Sequence, residues 1–261
     1  MEIKLNNKKA LVGGSTQGIG KAIAMQLAAS GATVTLMARN EEKLKNVLAE
    51  LPRPLEQPHG VLVVDFSETE NFKNKISAFL KTNPVDILVN NTNGPVSGGV
   101  LEKAPSDYQT AFELLFQTVC HTTVEALPYM QRNGFGRIIN VSSVSVKEPL
   151  QHLVLSNSIR SAVISWAKTL ATDVAKDNIT VNNILTGYFD TERIRDLIKV
   201  QAAAKKVSEE EMNATMQSNV PMKRFGKPEE YGYLAAFLAS DQAAYITGTN
   251  IPIDGGLLKS I

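Results

Sequence analysis

A glycine-rich turn near the start of the chain is the feature best suited to holding a charged ligand. The turn spans Gly14–Gly20 and follows the apolar run Ala10-Leu-Val. Glycines let a backbone turn sharply and approach a phosphate closely. Apolar residues then recur at Ile19, Ile23 and Leu27, which is helical spacing. A strand, a glycine turn and a helix N-terminus in this order predict that backbone N–H groups bind the pyrophosphate of a dinucleotide.

Arg39 follows the second predicted strand, Thr33–Ala38, at the point where the adenosine ribose of a dinucleotide lies. An acidic residue there favours NAD, and an arginine favours the 2′-phosphate of NADP. The sequence therefore predicts NADP(H) as the cofactor. If Arg39 is only a solvated loop charge, either cofactor can bind, with NAD(H) the less favoured.

Strand-like and helix-like segments alternate along the chain. Further strand-like runs occur at 61–64, 86–89, 137–141, 179–184 and 250–253. Helical patterns separate them: one from 106 to near 134, one over about 152–176, one over 191–218 with a capped start at 208, and one opening at 228. β-Branched strands between helices indicate a parallel sheet covered on both faces. We predict a single α/β domain over residues 1–261, a Rossmann fold with a doubly wound parallel sheet of about seven strands.

Composition excludes several classes of function. The 261 residues carry a formal net charge of +1, which gives no electrostatic basis for binding nucleic acid. Cys120 is the only cysteine and the three histidines are scattered, so we expect no disulfide framework and no metal site. No apolar run approaches the ~18 residues of a membrane span, and no signal peptide is visible. We therefore expect a cytoplasmic protein without a membrane partner.

Short motifs follow the predicted strands in a fixed order. Asp65 follows the third strand, Asn90-Asn91 the fourth and Ser142-Ser143 the fifth, and Asp254-Gly255-Gly256 lies near the end. Together with the glycine turn, these motifs resemble the short-chain dehydrogenase/reductase family over almost the entire chain. The resemblance is closest to the branch typified by 3-oxoacyl-acyl-carrier-protein reductases. It implies hydride transfer between a nicotinamide and a small carbonyl or secondary alcohol substrate.

The resemblance also implies where the cofactor is held. It places Asp65 and the Phe66 backbone at the adenine, Asn91 and Thr92 at the adenosine ribose, Ile19 on the nicotinamide side and Thr191 at the carboxamide. The full set of predicted cofactor-binding residues is Gly14, Ser15, Thr16, Gly18, Ile19, Gly20, Arg39, Asp65, Phe66, Asn91, Thr92, Arg160 and Thr191. The family usually has glycine where Asn93 stands. Asparagine tolerates a left-handed backbone better than most residues, so we expect the turn to be kept.

The catalytic positions depart from the family pattern. The family uses a serine, a tyrosine about 13 residues later, a lysine four residues further on and an asparagine in the first long helix. Ser143 matches the serine, but Ser156 stands at the tyrosine position and Arg160 at the lysine position. Leu115 stands at the asparagine position, counted back from residues 127–130. No tyrosine of the chain has a lysine four residues later.

This exchange alters the proton chemistry of the site. A phenol titrates near 10 and can be tuned toward neutrality, whereas an alkanol is a much weaker acid and a guanidinium keeps its proton. In one account, Ser143 and Ser156 polarise the carbonyl, Arg160 supplies charge and a water delivers the proton. In a second, Tyr188 provides the phenol. In a third, the protein binds NADP(H) without a redox step, as a sensor or subunit partner.

We predict the first account: an NADP-dependent dehydrogenase/reductase with Ser143, Ser156 and Arg160 as its catalytic residues and no metal. Residues 190–220 are predicted to form a lid over the substrate. The resemblance further implies a homo-oligomer, a dimer or tetramer, in which the two long helices pair across a two-fold axis.

Overall fold

A parallel sheet forms the centre of the protein. The computed structural model describes residues 2–260. Within them, the strands are β1 Lys9–Gly13, β2 Thr33–Ala38, β3 Gly60–Val63, β4 Ile87–Asn90, β5 Gly136–Ser143, β6 Ile179–Thr186 and β7 Asn250–Ile253. They lie in the order β3-β2-β1-β4-β5-β6-β7, and each neighbouring pair is parallel. Because the order reverses between β1 and β4, a ligand crevice forms at the carboxyl ends of these strands. The predicted Rossmann fold with a seven-stranded doubly wound sheet is confirmed.

Helices cover both faces of the sheet. They are α1 Gly18–Ala29, α2 Glu41–Glu50, α3 Thr69–Thr82, α4 Pro105–Phe112, α5 Thr118–Asn133, α6 Val154–Val174, α7 Glu192–Lys205, α8 Glu209–Asn219 and α9 Pro228–Ala239. One hydrophobic cluster joins the sheet to α1, α2 and α9, and a second joins it to α3, α5 and α6. No helix within residues 2–260 is long and apolar enough to span a bilayer.

Local capping signals set several helix ends. The side chain of Asn40 accepts a hydrogen bond from the backbone N–H of Lys43 at 2.8 Å and so starts α2. Ser208 accepts from the backbone N–H of Glu211 at 3.1 Å, and the Glu211 carboxylate accepts from the backbone N–H of Ser208. Pro228 is the first residue of α9. The predicted helix starts at these three positions are confirmed.

The first long helix is interrupted, which the sequence did not predict. A π-helical turn over Glu113–Gln117 separates α4 from α5. Thr118 marks the change, since its hydroxyl donates to the carbonyl oxygen of Glu113, five residues back, at 3.0 Å. Such turns insert one residue and shift the helix face, and they are frequent at functional sites. Here the turn contains Leu115, which is 2% exposed and packs toward α6.

Candidate active site

The glycine turn is tightly built and is tied to the neighbouring strand ends. Gly14 and Gly18 have φ of +55° and +53°, a left-handed conformation that favours glycine. A Cβ at Gly20 would collide with the Gly14 carbonyl oxygen. The side-chain amide of Asn91 donates to the carbonyl oxygen of Gly13 at 3.0 Å and so fixes the turn against β4. The turn therefore has the close backbone approach that a bound pyrophosphate needs.

Two predicted ligand residues turn their side chains into the protein. Ser15 is fully buried, and its hydroxyl accepts from the Met37 backbone N–H at 2.9 Å, so its side chain anchors the turn to β2. Phe66 is buried and its ring packs on Phe72, with 5.4 Å between the centroids. Both residues can meet a ligand through their backbones only.

At Asn93 the backbone is not left-handed, so the expected reason for tolerating asparagine there was wrong.

A pocket of about 440 Å³ lies at the carboxyl ends of β2 and β3. Its lining is Arg39, Asn40, Val63, Val64, Asp65, Glu68 and Lys75. Asp65 accepts from the backbone N–H of Ser67 at 2.9 Å and from its hydroxyl at 2.6 Å, and these hydrogen bonds lower the pKa of the carboxyl. Arg39 adds to this effect through its charge. The two predicted adenosine-side residues, Arg39 and Asp65, thus share one open pocket, and Asp65 is a carboxylate at neutral pH.

The segment after β6 reaches back over the glycine turn. The methyl carbon of Thr191 lies 3.2 Å from the position that a Cβ would take at Gly18. Arg193, at the start of α7, lies near Gly94, with 3.7 Å from its Nη2 to a Cβ placed there. The start of the predicted lid therefore faces both the glycine turn and the loop after β4.

Helix α6 brings the predicted catalytic residues to the end of β5. Arg160 donates from Nη1 to the carbonyl oxygen of Val141 at 2.6 Å. Because α6 runs antiparallel to β5, the helical turn before Arg160 lies beside the strand residues after Val141. This direction is consistent with the predicted grouping of Ser156 with Ser143, whose hydroxyl accepts from the Ser145 backbone N–H at 3.1 Å.

The Arg160 guanidinium carries a charge that no carboxylate offsets. Among residues 2–260, none of the ion pairs includes Arg160. Burial lowers its pKa, Tyr231 partly offsets this and the charge of Arg193 adds to it, but a guanidinium starts so high that it stays protonated. Leu115 and Thr92 line a small pocket with Arg160, so Leu115 presents carbon beside the guanidinium.

Tyr188, the alternative phenol, lies just before the predicted lid. Its ring packs edge-on against Phe225 with 6.2 Å between centroids, within a cluster of α7 and α8 side chains. Burial raises the pKa of the Tyr188 phenol. A raised pKa makes the phenol a poorer proton donor near neutrality, so the environment favours a packing role.

Four asparagines form a hydrogen-bonded ladder across the sheet, which sequence reasoning missed. Asn90 donates to Asn140 at 2.9 Å, Asn140 to Asn183 at 2.8 Å, and Asn183 to Asn250 at 2.8 Å. Asn90 also donates to Thr123 of α5 at 3.0 Å. The four stand opposite one another on β4 to β7. A signal existed, since asparagine is uncommon in strands, but it has meaning only once the register is known.

Comparison with known families decides the classification. The family model described as enoyl-(acyl carrier protein) reductase matches residues 14–258. Curated relatives include a bovine protein named dehydrogenase/reductase SDR family member 4. It is 31% identical to this chain, and the match covers 98% of this chain and 89% of the relative. The chain belongs to the short-chain dehydrogenase/reductase family. The predicted family is confirmed.

Other members of the short-chain dehydrogenase/reductase family match along nearly their full length. The NADPH-dependent reductase BacG of Bacillus subtilis is 30% identical, over 98% of this chain and all of the relative. The 3-oxoacyl-[acyl-carrier-protein] reductase FabG of Aquifex aeolicus is 32% identical, with the same coverage. Among solved structures, the L-sorbose reductase of Gluconobacter frateurii, complexed with NADPH and L-sorbose, superimposes with a TM-score of 0.92 at 30% identity, over 100% of both chains.

Proposed function

We propose that this chain reduces a small carbonyl compound with NADPH, or oxidises the corresponding secondary alcohol, through Ser143, Ser156 and Arg160. Family membership makes the chain an NAD(P)-dependent oxidoreductase, as the sequence predicted. NADPH as the cofactor is supported by the relatives and by Arg39 in the adenosine-side pocket. The closely packed glycine turn, with Asn91 against it, fits the pyrophosphate of such a dinucleotide.

The observation that carries the proposal is the hydrogen bond from Arg160 to the Val141 carbonyl, two residues before Ser143. Bound NADPH supplies the hydride that adds to the carbonyl carbon. As charge builds on the substrate oxygen, the hydroxyls of Ser143 and Ser156 donate hydrogen bonds to it, and the Arg160 charge stabilises it. Arg160 cannot give up its own proton, so water protonates the oxygen.

The test measures NADPH oxidation by absorbance with a panel of ketones and aldehydes. We expect turnover by the native chain and a loss of roughly 100-fold in kcat for Ser143→Ala, with the NADPH Kd unchanged. Ser145→Ala is the matched control, because Ser145 is a buried neighbour that bonds Ser143 through its backbone N–H, which alanine keeps. Tight NADPH binding without turnover on any panel member would contradict the proposal and support the sensor account.

The lid over residues 190–220 is part of the proposal. Its helices α7 and α8 share a small hydrophobic cluster of their own. The side-chain amide of Gln201 lies 3.4 Å from the imidazole of His152, so α7 touches the segment that leads into α6. Hydrogen exchange should show faster exchange in α7 and α8 than in α6, and slower exchange once NADPH is added. Equal protection of all three helices would remove the lid from the proposal.

We further propose that the chain works in the cytoplasm as a homo-oligomer, a dimer or tetramer. The two long helices would pair across the two-fold axis and would there cover Val124 on α5, which is 56% exposed. Light scattering after size-exclusion chromatography should give the mass of two or four chains. A mass of one 28.4 kDa chain at micromolar concentration would contradict the assembly.

A further inference from the structure

The pocket at the ends of β2 and β3 contains more positive charge than the family motif requires. Its lining includes two cations, Arg39 and Lys75, and two carboxylates, Asp65 and Glu68. Among residues 2–260, neither cation has a carboxylate oxygen within ion-pair distance. The two cations therefore face the pocket with their charges unpaired.

The two carboxylates are engaged within the turn that joins β3 to α3. Asp65 accepts two hydrogen bonds from Ser67. Glu68 accepts from the side-chain amide of Asn71 at 2.6 Å. These local bonds hold the acids to their own turn, so they compete weakly for the two cations.

Lys75 reaches the pocket from helix α3. Its ammonium lies 3.4 Å from the carbonyl oxygen of Val63, the last residue of the edge strand β3. Val63 is paired with Ala38, the residue directly before Arg39. The register thus brings both cations to the same end of two neighbouring strands. Lys73, two residues earlier, instead pairs with Glu70 on its own helix at 2.9 Å.

We propose that Lys75 is a second cation for the 2′-phosphate of NADPH and contributes to the choice of NADPH over NADH. A phosphate monoester carries about −1.5 to −2 charges at neutral pH, so a single arginine leaves part of its charge without a partner. The ammonium of Lys75 is a mobile point charge on a flexible stem, and its one long contact leaves N–H donors free. This inference rests on the proposed use of NADPH by the same site.

The experiment measures binding of the adenosine half of the cofactor, so it does not depend on turnover. The probes are 2′,5′-ADP and 5′-AMP, titrated into the full chain by calorimetry, with native protein, Lys75→Met and Lys73→Met. We expect Lys75→Met to weaken 2′,5′-ADP roughly tenfold, the scale of one charge-assisted hydrogen bond, and to leave 5′-AMP within about twofold. Lys73→Met should bind both probes as the native chain does. The ratio of the NADPH Kd to the NADH Kd should rise in parallel for Lys75→Met alone.

Three outcomes would overturn the proposal. Unchanged 2′,5′-ADP binding by Lys75→Met would remove Lys75 from the site. An equal loss for both probes would assign Lys75 to the part that the two probes share rather than to the 2′-phosphate. A native chain that binds 2′,5′-ADP no better than 5′-AMP would overturn NADPH preference itself. An absence of carbonyl reduction with the expected probe binding would contradict only the proposed catalytic step, so the two failures are distinguishable.

Lys75 is exposed, so the variant should fold, and matching thermal unfolding of all three proteins checks this.

Discussion

At the scale of single residues, Ser156 and Arg160 alter which groups of the active site can titrate. Neither an alkanol nor a guanidinium ionises near neutrality. We therefore expect kcat of the native chain to vary less than about threefold between roughly pH 6 and pH 9. In Arg160→Lys, kcat should fall as pH rises through the lysine pKa, because burial disfavours the charged ammonium.

The measurement is kcat against pH at saturating NADPH for native chain, Arg160→Lys and Tyr188→Phe. Tyr188→Phe should follow the native pH profile, since the Tyr188 phenol has a raised pKa and its ring packs against Phe225. A native profile that declines on the alkaline side and becomes flat in Tyr188→Phe would identify Tyr188 as the proton donor.

His59 should make stability depend on mildly acidic pH. Its Nδ1 accepts from the Val34 backbone N–H at 3.0 Å, and its Nε2 lies 2.9 Å from the Pro52 carbonyl oxygen, so the ring is bound in its neutral form. Burial lowers its pKa below the ordinary 6.5. The unfolded chain then binds more protons than the folded one below that pH. The contribution of the neutral His59 ring to stability is thus fully present above pH 6.5. It is lost as the pH falls through the pKa of the folded state.

Urea unfolding of the native chain and of His59→Gln at roughly pH 7.5 and 5.5 checks this. The urea midpoint of the native chain should fall more between the two conditions than that of His59→Gln. An equal fall of the urea midpoint in the two proteins would show that other groups dominate the response of stability to acid.

At the scale of elements, the π-helical turn is held by apolar packing. Leu115 is 2% exposed and contacts a cluster that includes Ala111, Leu155 and Ile159. Leu115→Asn, which introduces the residue that the family pattern predicts here, should lower the free energy of unfolding by about 2–4 kcal/mol, because it removes buried carbon and buries an amide. It should not raise kcat, since the proposed catalytic Arg160 is unchanged.

Leu115→Met is the control and should cost less than about 1.5 kcal/mol, because its volume is similar. Denaturant unfolding gives both values. A Leu115→Asn variant as stable as native protein, or one with a higher kcat, would contradict a purely packing role for Leu115.

Elements were predictable from the sequence where their signals are local. The glycine turn, the Asn40 cap and the Ser208 capping box each lie within a few residues of chain, so pattern alone locates them. The π-helical turn depends on how residues 113–117 pack against α6, and the apolar periodicity continues through it. The direction of the Ser15 side chain likewise depends on β2, far along the chain, which no local pattern records.

At the scale of the whole molecule, the asparagine ladder binds half of the sheet together. Asn140, at its centre, is buried and joins β4 to β6 through its neighbours. Asn140→Ala should lower the free energy of unfolding by about 2–3 kcal/mol, because the Asn183 carbonyl oxygen then loses its buried donor. Asn250→Ala, at the exposed end, should cost less than about 1 kcal/mol. Equal losses in urea unfolding would contradict a central role for Asn140.

The ladder and the place of Lys75 in the adenosine-side pocket are features that sequence reasoning missed. Both depend on which residues the register brings opposite one another: Asn140 beside Asn183, and Val63 beside Ala38. Parallel pairing joins residues tens of positions apart, so no spacing in the chain reveals them. Lys75 in particular looks like any surface lysine until α3 is packed along the edge strand.

The ladder also has a polarity. Its three hydrogen bonds are donated in the same direction, from Asn90 to Asn140, from Asn140 to Asn183 and from Asn183 to Asn250. One amide rotated by half a turn would set donor against donor on one side and acceptor against acceptor on the other. The four groups can therefore reverse only in concert, and their small dipoles add along a line perpendicular to the strands. A substitution of one of the four asparagines would allow the remaining side-chain amides to rotate. The rotation would appear as new side-chain amide signals in NMR spectra, from strands that do not carry the substitution.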